Sequence, residues 1–128
     1  RITTEGELDI VDITDEVKEV VRKSGIEEGL CIIFVPGSTA SIVLNEYESS
    51  LLKDFKRFVE EKLSLSEYNH PINARSHLRA MIFGNEKWIP IQGGNLVLGT
   101  WQQIWLVEFD TRPRERRIII KIIETPKD

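Results

Sequence analysis

Leu98-Gly99-Thr100-Trp101-Gln102-Gln103-Ile104-Trp105-Leu106-Val107-Glu108-Phe109-Asp110 runs from a polar, glycine-containing turn into an apolar stretch carrying one acid near its end. The apolar part predicts a strand with Trp105 and Val107 on one face and Ile104, Leu106 and Glu108 on the other. A glutamate in such a run must be paired, solvated at the strand's end, or used for chemistry. Ahead of it, Gly99 lets the backbone turn or a ligand approach closely. Thr100 offers a hydroxyl, Trp101 a ring face, and Gln102 an amide that both donates and accepts. Leu98 to Gln102 is therefore a candidate binding segment, with Glu108 the acid beside it.

Working outward, the hydrophobic patterning gives the other elements. Ile2 to Val11 reads as a strand interrupted near Gly6. Thr14 is placed as a helix N-cap, Val17, Val20 and Val21 form the buried stripe, and Gly25 ends the helix. Leu30 to Val35 is a β-branched strand stopped by Pro36-Gly37, and Ile42 to Leu44 is a short one. A second helix runs from about Ser49 or Ser50 to Leu63, with Leu51, Leu52, Phe55, Phe58, Val59 and Leu63 on one face. Ser64 to Ser76 lacks periodicity and reads as a loop. Strands are expected at about 77–83, 87–91, 96–98, 103–109 and 117–123, with hairpin turns at Gly84-Asn85 and Gly93-Gly94-Asn95. The order predicts an α+β fold, a largely antiparallel β-rich sandwich with two main helices.

The totals agree with one domain over residues 1–128. The chain is 41% hydrophobic and 30% charged, the balance of a folded globular protein. A net charge of −4 argues against nucleic acid as a partner. No apolar run reaches the roughly 20 residues that span a bilayer. The start lacks a signal-peptide core and an initiating Met, so a trimmed chain is expected, in a cytoplasmic setting. The single cysteine, Cys31, sits in an apolar strand, which excludes an intrachain disulfide and a cysteine-cluster zinc site.

Polar residues supply the chemistry. His77, after a polar loop, is placed for general acid/base work or for fixing the loop by a hydrogen bond. His70, beside Pro71, reads as a loop residue, and the two histidines lack the spacing of a local metal motif. A site joining His77 to Glu46 or Glu108 requires convergence in three dimensions. The turn Pro36 to Ser41, with Ser38 and Thr39, offers hydroxyls and amides that can cradle a phosphate, or that simply satisfy their own backbone. Arg112, Arg114, Arg116 and Arg117 can clamp a diphosphate or protect an edge strand.

Several of these segments recur together: Pro36-Gly37-Ser38-Thr39-Ala40-Ser41, Asn45-Glu46, Ser76-His77, Gly84, Gly99-Thr100-Trp101-Gln102 and Arg116-Arg117. In that order they resemble the YjbQ-like family, small proteins associated with a secondary thiamine-phosphate synthase activity. The resemblance implies a homotrimer with sites near subunit junctions. It also implies the joining of a pyrimidine diphosphate to a thiazole phosphate, giving thiamine phosphate and pyrophosphate. Arginines and Mg²⁺ would stabilise the departing diphosphate. Ser38, Thr39 and Thr100 would hold phosphate oxygens, with Arg116, Gly99 and Gln102 lining the substrate site and Trp101 stacking on the pyrimidine. His77, Glu46 and Glu108 would orient substrate or handle protons. The alternative is a non-catalytic homotrimer that binds a phosphorylated metabolite or anion in the same pocket. Two departures stand out: many members carry a histidine where this chain has Gly37, and Arg75 replaces an acid often found near His77.

The opening stretch yields a binding prediction. Trp101→Ala should weaken a phosphorylated heteroaromatic ligand at least about tenfold, or about 1.4 kcal/mol, and Trp88→Ala far less. Isothermal titration of both variants decides it, and the reverse ranking would place the pocket elsewhere.

Overall fold

The computed structural model describes residues 1–64 and 67–127. Among them the order is β1 (Ile2–Thr3), β2 (Ile10–Asp12), α1 (Thr14–Ser24), β3 (Gly29–Phe34), β4 (Ala40–Asn45) and α2 (Ser49–Lys62). It continues with α3 (Ala74–Phe83), β5 (Glu86–Gln92), β6 (Asn95–Leu96), β7 (Gln103–Glu108), β8 (Glu115–Arg116) and β9 (Ile119–Glu124). Three antiparallel sheets form: β6-β5-β3-β9, β2-β7-β4, and the small pair β1-β8. The α+β sandwich expected from the sequence is what the chain forms.

The opening stretch shows why the layers stack as they do. β7 lies between β2 and β4, and its residues alternate between two cores. Ile104 and Leu106 join Cys31, Ile33, Ile42, Ile89 and Ile91 between the two larger sheets, with Val17 and Val21 of α1 closing that core. Trp105, Val107 and then Phe109 face the opposite way, onto Val59 and Phe55 of α2 and Ala80 and Phe83 of α3. Phe55 meets the Trp105 ring edge-on at 5.4 Å, and Phe83 stacks on Phe109 at 5.7 Å. A strand apolar on both faces is therefore the middle layer between a sheet and a pair of helices.

Four expectations need correction. His77 does not open a strand, because residues 74–83 form the helix α3, a third helix beside the expected two. Its buried residues Ser76, Arg79 and Ala80 fall at helical spacing, and Ala, Arg, Leu and Met favour helix. A brief apolar–polar alternation from His77 to Met81 imitates a strand. The N-terminal segment is two short strands in different sheets, since Asp9 accepts from the Glu5 amide at 2.8 Å and folds the chain between them. Ile13, not Thr14, holds the α1 N-cap position. Thr14 is instead drawn inward, its hydroxyl accepting from the Ile104 amide at 2.8 Å. The Ser64–Ser76 loop ends at Asn73, and its residues 65–66 lie outside the described residues.

A buried and a half-buried cation tie the helices down. Arg79, 2% exposed, donates to Glu7 at 3.0 Å and to the Leu63 carbonyl at 3.3 Å, linking α3 to the N-terminal segment and the end of α2. Lys87 donates to the carbonyls of Ile42 at 2.7 Å and Phe83 at 3.0 Å, capping α3 against β4. Burial pushes its ammonium below the ordinary lysine value. No helix among the described residues is long and apolar enough to cross a membrane.

The outer face of the four-stranded sheet is largely apolar, with Glu86 beside Phe34 and Lys121 beside Ile32 as its charged members. Register puts Leu30 beside Pro90 and Ile123, Ile32 beside Trp88, and Phe34 beside Ile119. Phe34, Trp88 and Ile123 are exposed.

Gly29 marks the tightest approach inside that sheet: a Cβ there would stand 2.3 Å from the Ile123 carbonyl oxygen. Relieving that clash means moving β9 away from β3. Gly29→Ala should cost about 1–3 kcal/mol in a urea unfolding experiment, and an unchanged midpoint would show that β9 moves freely.

Candidate functional site

β4 and β7 pair from Ala40↔Glu108 at one end to Asn45↔Gln103 at the other. The candidate residues gather at both ends, so the single site expected from sequence divides in two. Five residue steps at about 3.4 Å separate the ends by roughly 17 Å.

At the first end Glu108 is fully buried and its carboxylate accepts four hydrogen bonds. The donors are the Thr4 hydroxyl at 2.8 Å, the Asp110 amide at 3.0 Å, Arg116 Nε at 2.8 Å, and Arg116 Nη2. Arg116, 3% exposed, also donates from Nη2 to the Thr39 hydroxyl at 2.8 Å and the Thr39 carbonyl at 3.3 Å. Fork geometry fixes the guanidinium plane from two sides. Its remaining nitrogen, Nη1, has no protein partner among the described residues and lies beneath Gly37, where a Cβ would come within 2.9 Å. Gly37 has φ +113°, so both the turn and the space favour glycine. Glu108 is thus occupied on both oxygens and acts on Arg116, which sets its position. Gly37 and Ser38 above it are exposed.

A second acid supports the same turn. Asp110 accepts from the Thr39 hydroxyl at 3.4 Å, the Thr111 amide at 2.7 Å, the Asn73 side-chain amide at 3.5 Å, and Arg114. Burial alone would raise its carboxyl, but the Thr111 amide, Arg114 and Asn73 hold it below the ordinary aspartate value. Asn85 completes the frame, donating to the carbonyls of Val35 at 3.0 Å and Gly37 at 2.8 Å. The chemistry available at this end is anion recognition: one immobilised cation under an open glycine turn flanked by hydroxyls.

The other end is a shallow cleft of about 280 Å³ lined by Leu44, Asn45, Glu46, Trp101 and Gln102. Trp101 is 71% exposed and so stands outside the core. Gln102 closes its own turn, its amide donating to the Gly99 carbonyl and its side-chain oxygen accepting from the Gly99 amide, both at 3.0 Å. Gly99 has no left-handed backbone, and a Cβ there would meet only the Gln102 side chain, at 3.7 Å. Folding does not require glycine at that position. Thr100 is exposed beside it.

His77 lies one turn into α3, its amide donating to the Asn73 carbonyl at 3.5 Å. Through Asn73 the helix touches Asp110 and hence the first group. Its ring meets that of His70, with centroids 4.8 Å apart and planes at 61°. Six intervening residues, the first a proline, gave no sign of this meeting. Sequence reading also missed Thr4, Asn73 and Asp110, because each reaches the cluster from a distant segment. Only the Asp at the end of the organising strand was a visible cue.

A family profile described as UPF0047 protein YjbQ-like matches residues 1–125. A UPF0047 protein of Archaeoglobus fulgidus is 38% identical over 126 residues, covering 95% of this chain and 97% of that protein. The UPF0047 protein YugU of Bacillus subtilis is 32% identical, covering 96% of each. Among solved structures, a YbjQ-like protein of unknown function from Sulfolobus solfataricus superposes with a TM-score of 0.88 at 43% identity, covering 97% of this chain and 93% of that one. An uncharacterised conserved protein of the yjbq/upf0047 family from Clostridium acetobutylicum gives a TM-score of 0.88 at 32% identity, covering 95% and 96%.

The buried pair makes a stability prediction. Glu108→Ala leaves Arg116 charged, buried and uncompensated, and should cost about 3–5 kcal/mol by urea unfolding. Glu46→Ala, at the exposed cleft, should stay within about 0.5 kcal/mol. Equal effects at the two acids would contradict the division into a structural and an open end.

Proposed function

This chain belongs to the YjbQ-like UPF0047 family, and on that premise we propose that it takes a phosphorylated small molecule at the Gly37–Thr39 turn and acts as a transferase of the thiamine-phosphate synthase type. The observation that carries this reading is Arg116, whose Nε and Nη2 are held by Glu108 and Thr39 while its Nη1 lies unpartnered among the described residues beneath Gly37. In the proposed reaction a C–N bond forms between the pyrimidine methylene and the thiazole nitrogen as the C–O bond to the diphosphate breaks. Negative charge gathers on the departing pyrophosphate. A cation already fixed in a low-dielectric setting stabilises that charge without reorganising. Ser38 and Thr39 flank the phosphate oxygens. Trp101 receives the pyrimidine face, beside Thr100 and Glu46, and His77 orients substrate from α3.

The turn and the tryptophan stand at opposite ends of the β4–β7 pairing, a strand length of roughly 17 Å that exceeds the reach of a pyrimidine diphosphate, so on this reading one chain does not offer both to one ligand. We therefore propose a homotrimer in which a neighbouring copy supplies the second half of each site. Exposed Phe34, Trp88 and Ile123 on one largely apolar sheet face support self-association, since such a face is commonly covered by a partner. A cytoplasmic setting suits this chemistry. Mg²⁺ is the counter-ion such a transfer recruits, but its fit here is poor. Glu108 and Asp110 are already saturated, and no group of three or more His, Cys, Asp or Glu able to hold a metal occurs among the described residues. Charge stabilisation is accordingly assigned to Arg116.

Light scattering should give a trimer mass at micromolar concentration, and the same preparation should form thiamine phosphate from the two phosphorylated precursors. Ser38→Asp, which sets a negative charge on an exposed turn, should abolish product without changing the melting temperature. Saturable pyrophosphate binding without turnover selects the non-catalytic reading. Failure to bind pyrophosphate at millimolar concentration sinks both, and a monomer sinks the shared site.

A further inference from the structure

Trp105 carries a donor that the rest of the fold leaves unanswered. Its side chain is 1% exposed and meets the rings of Phe55 at 5.4 Å and Tyr47 at 6.2 Å in T-shaped contacts. Its indole Nε1 nevertheless has no hydrogen-bond partner. Buried indole N–H groups usually find an acceptor, because a donor taken out of water loses its hydration and gains nothing unless it is paired. Packing alone does not call for that atom. A phenylalanine would fill an aromatic core position without burying a donor.

The same ring lines a cavity of about 370 Å³ between β4, β7 and α2, with Phe55, Phe58, Phe83, Asn45 and Asp54 around it. Small-molecule sites span roughly 300–1,000 Å³ and combine mostly apolar walls with a few polar groups, which is the composition seen here. Exposure gives the cavity its depth. Trp105 is at the inner end, while Phe58, 53% exposed, and the exposed Asn45 and Asp54 are at the mouth. A lone water beside Trp105 would need two or more polar partners, and apart from the indole the lining offers polar side chains only at the mouth. The Asp54 carboxylate has no hydrogen-bond or ion-pair partner among the described residues. The cavity therefore holds a free donor at its inner end and a free acceptor at its mouth, with aromatic walls between them.

We propose that this cavity binds a small, neutral, amino-substituted nitrogen heteroaromatic ring. The ring nitrogen accepts the Trp105 N–H, the amino group donates to the Asp54 carboxylate, and the ring packs on Phe55, Phe58 and Phe83. Other ligand classes fit worse. A carboxylate or phosphate would meet the like charge of Asp54, and a plain hydrocarbon would leave the indole donor unpaired. The site uses neither Arg116 nor Trp101, so it goes beyond the phosphate reading and does not rest on it.

The test uses 3-aminoquinoline, uncharged at neutral pH, and naphthalene, a ring system of the same shape without either polar group. Calorimetric titration should show 3-aminoquinoline binding saturably at one equivalent per chain, with naphthalene at least about tenfold weaker. Trp105→Phe keeps an aromatic ring and removes the N–H, and should cut 3-aminoquinoline affinity at least about tenfold without weakening naphthalene. Asp54→Ala, on the exposed side of α2, should act in the same direction. A nitrogen-15 spectrum of the unaltered protein keeps the test sound even where Trp105→Phe folds poorly. There 3-aminoquinoline should move the Trp105 Nε1–H signal downfield and leave those of Trp88 and Trp101 in place. No saturable binding below millimolar 3-aminoquinoline, or equal affinity for the two compounds, would overturn the assignment. So would binding that Trp101→Ala removes and Trp105→Phe does not. Neither compound carries a phosphate, so these outcomes are separate from those with pyrophosphate.

Discussion

Two opposite charges, Glu108 and Arg116, are almost completely removed from water at the end of the central strand. Desolvating each costs several kcal/mol, and their attraction offsets that only if every remaining donor and acceptor is satisfied. The chain meets this condition by recruiting four segments. Thr4 comes from just after β1, the Asp110 amide from just beyond β7, Arg116 from β8, and Thr39 from the turn before β4. Each segment is held by a bond whose loss would strand a charge. A cation fixed this way for structural reasons is also pre-organised for an anion, because holding it still incurs no further cost when a ligand arrives.

The middle position of β7 decides where else chemistry can sit. Both of its faces are spent on packing, one against the second sheet and one against α2 and α3. Open groups therefore collect at the strand ends: the Arg116 turn at one and the Trp101 cleft at the other. α3 adds a third location, because Ser76, Arg79 and Ala80 bury its inner face and leave His77, Leu78 and Met81 outward. The outer face of the four-stranded sheet is the remaining largely apolar surface.

Reading a strand's periodicity succeeds where burial alternates with chain position. The division of Trp105 and Val107 from Ile104 and Leu106 was legible for that reason, as was the α2 stripe around Phe55 and Val59. It fails where a short polar-rich helix imitates alternation, as at 77–83, because seven residues cannot separate a period of 2 from one of 3.6 when a buried arginine occupies the inner face. The N-terminal segment failed for a different reason. Its turn is closed by Asp9 reaching back to Glu5, and its two halves pair with strands about a hundred residues away.

By itself the sequence determined the local chemistry: which residues could turn, pair, stack or carry charge, and that Glu108 in an apolar run needed a partner. It could not say which partner. Thr4 lies 104 residues from Glu108, and Arg116 is 77 residues from Thr39. Only the antiparallel register of β4 with β7 and of β1 with β8 brings those atoms within 3 Å. The same register carried Trp101 away from the Gly37–Thr39 turn, and the loop before α3 carried His70 onto His77. Hydrogen bonds and ion pairs act over a few ångströms of space regardless of chain separation, so side-chain type is written in the sequence while adjacency is set by the fold.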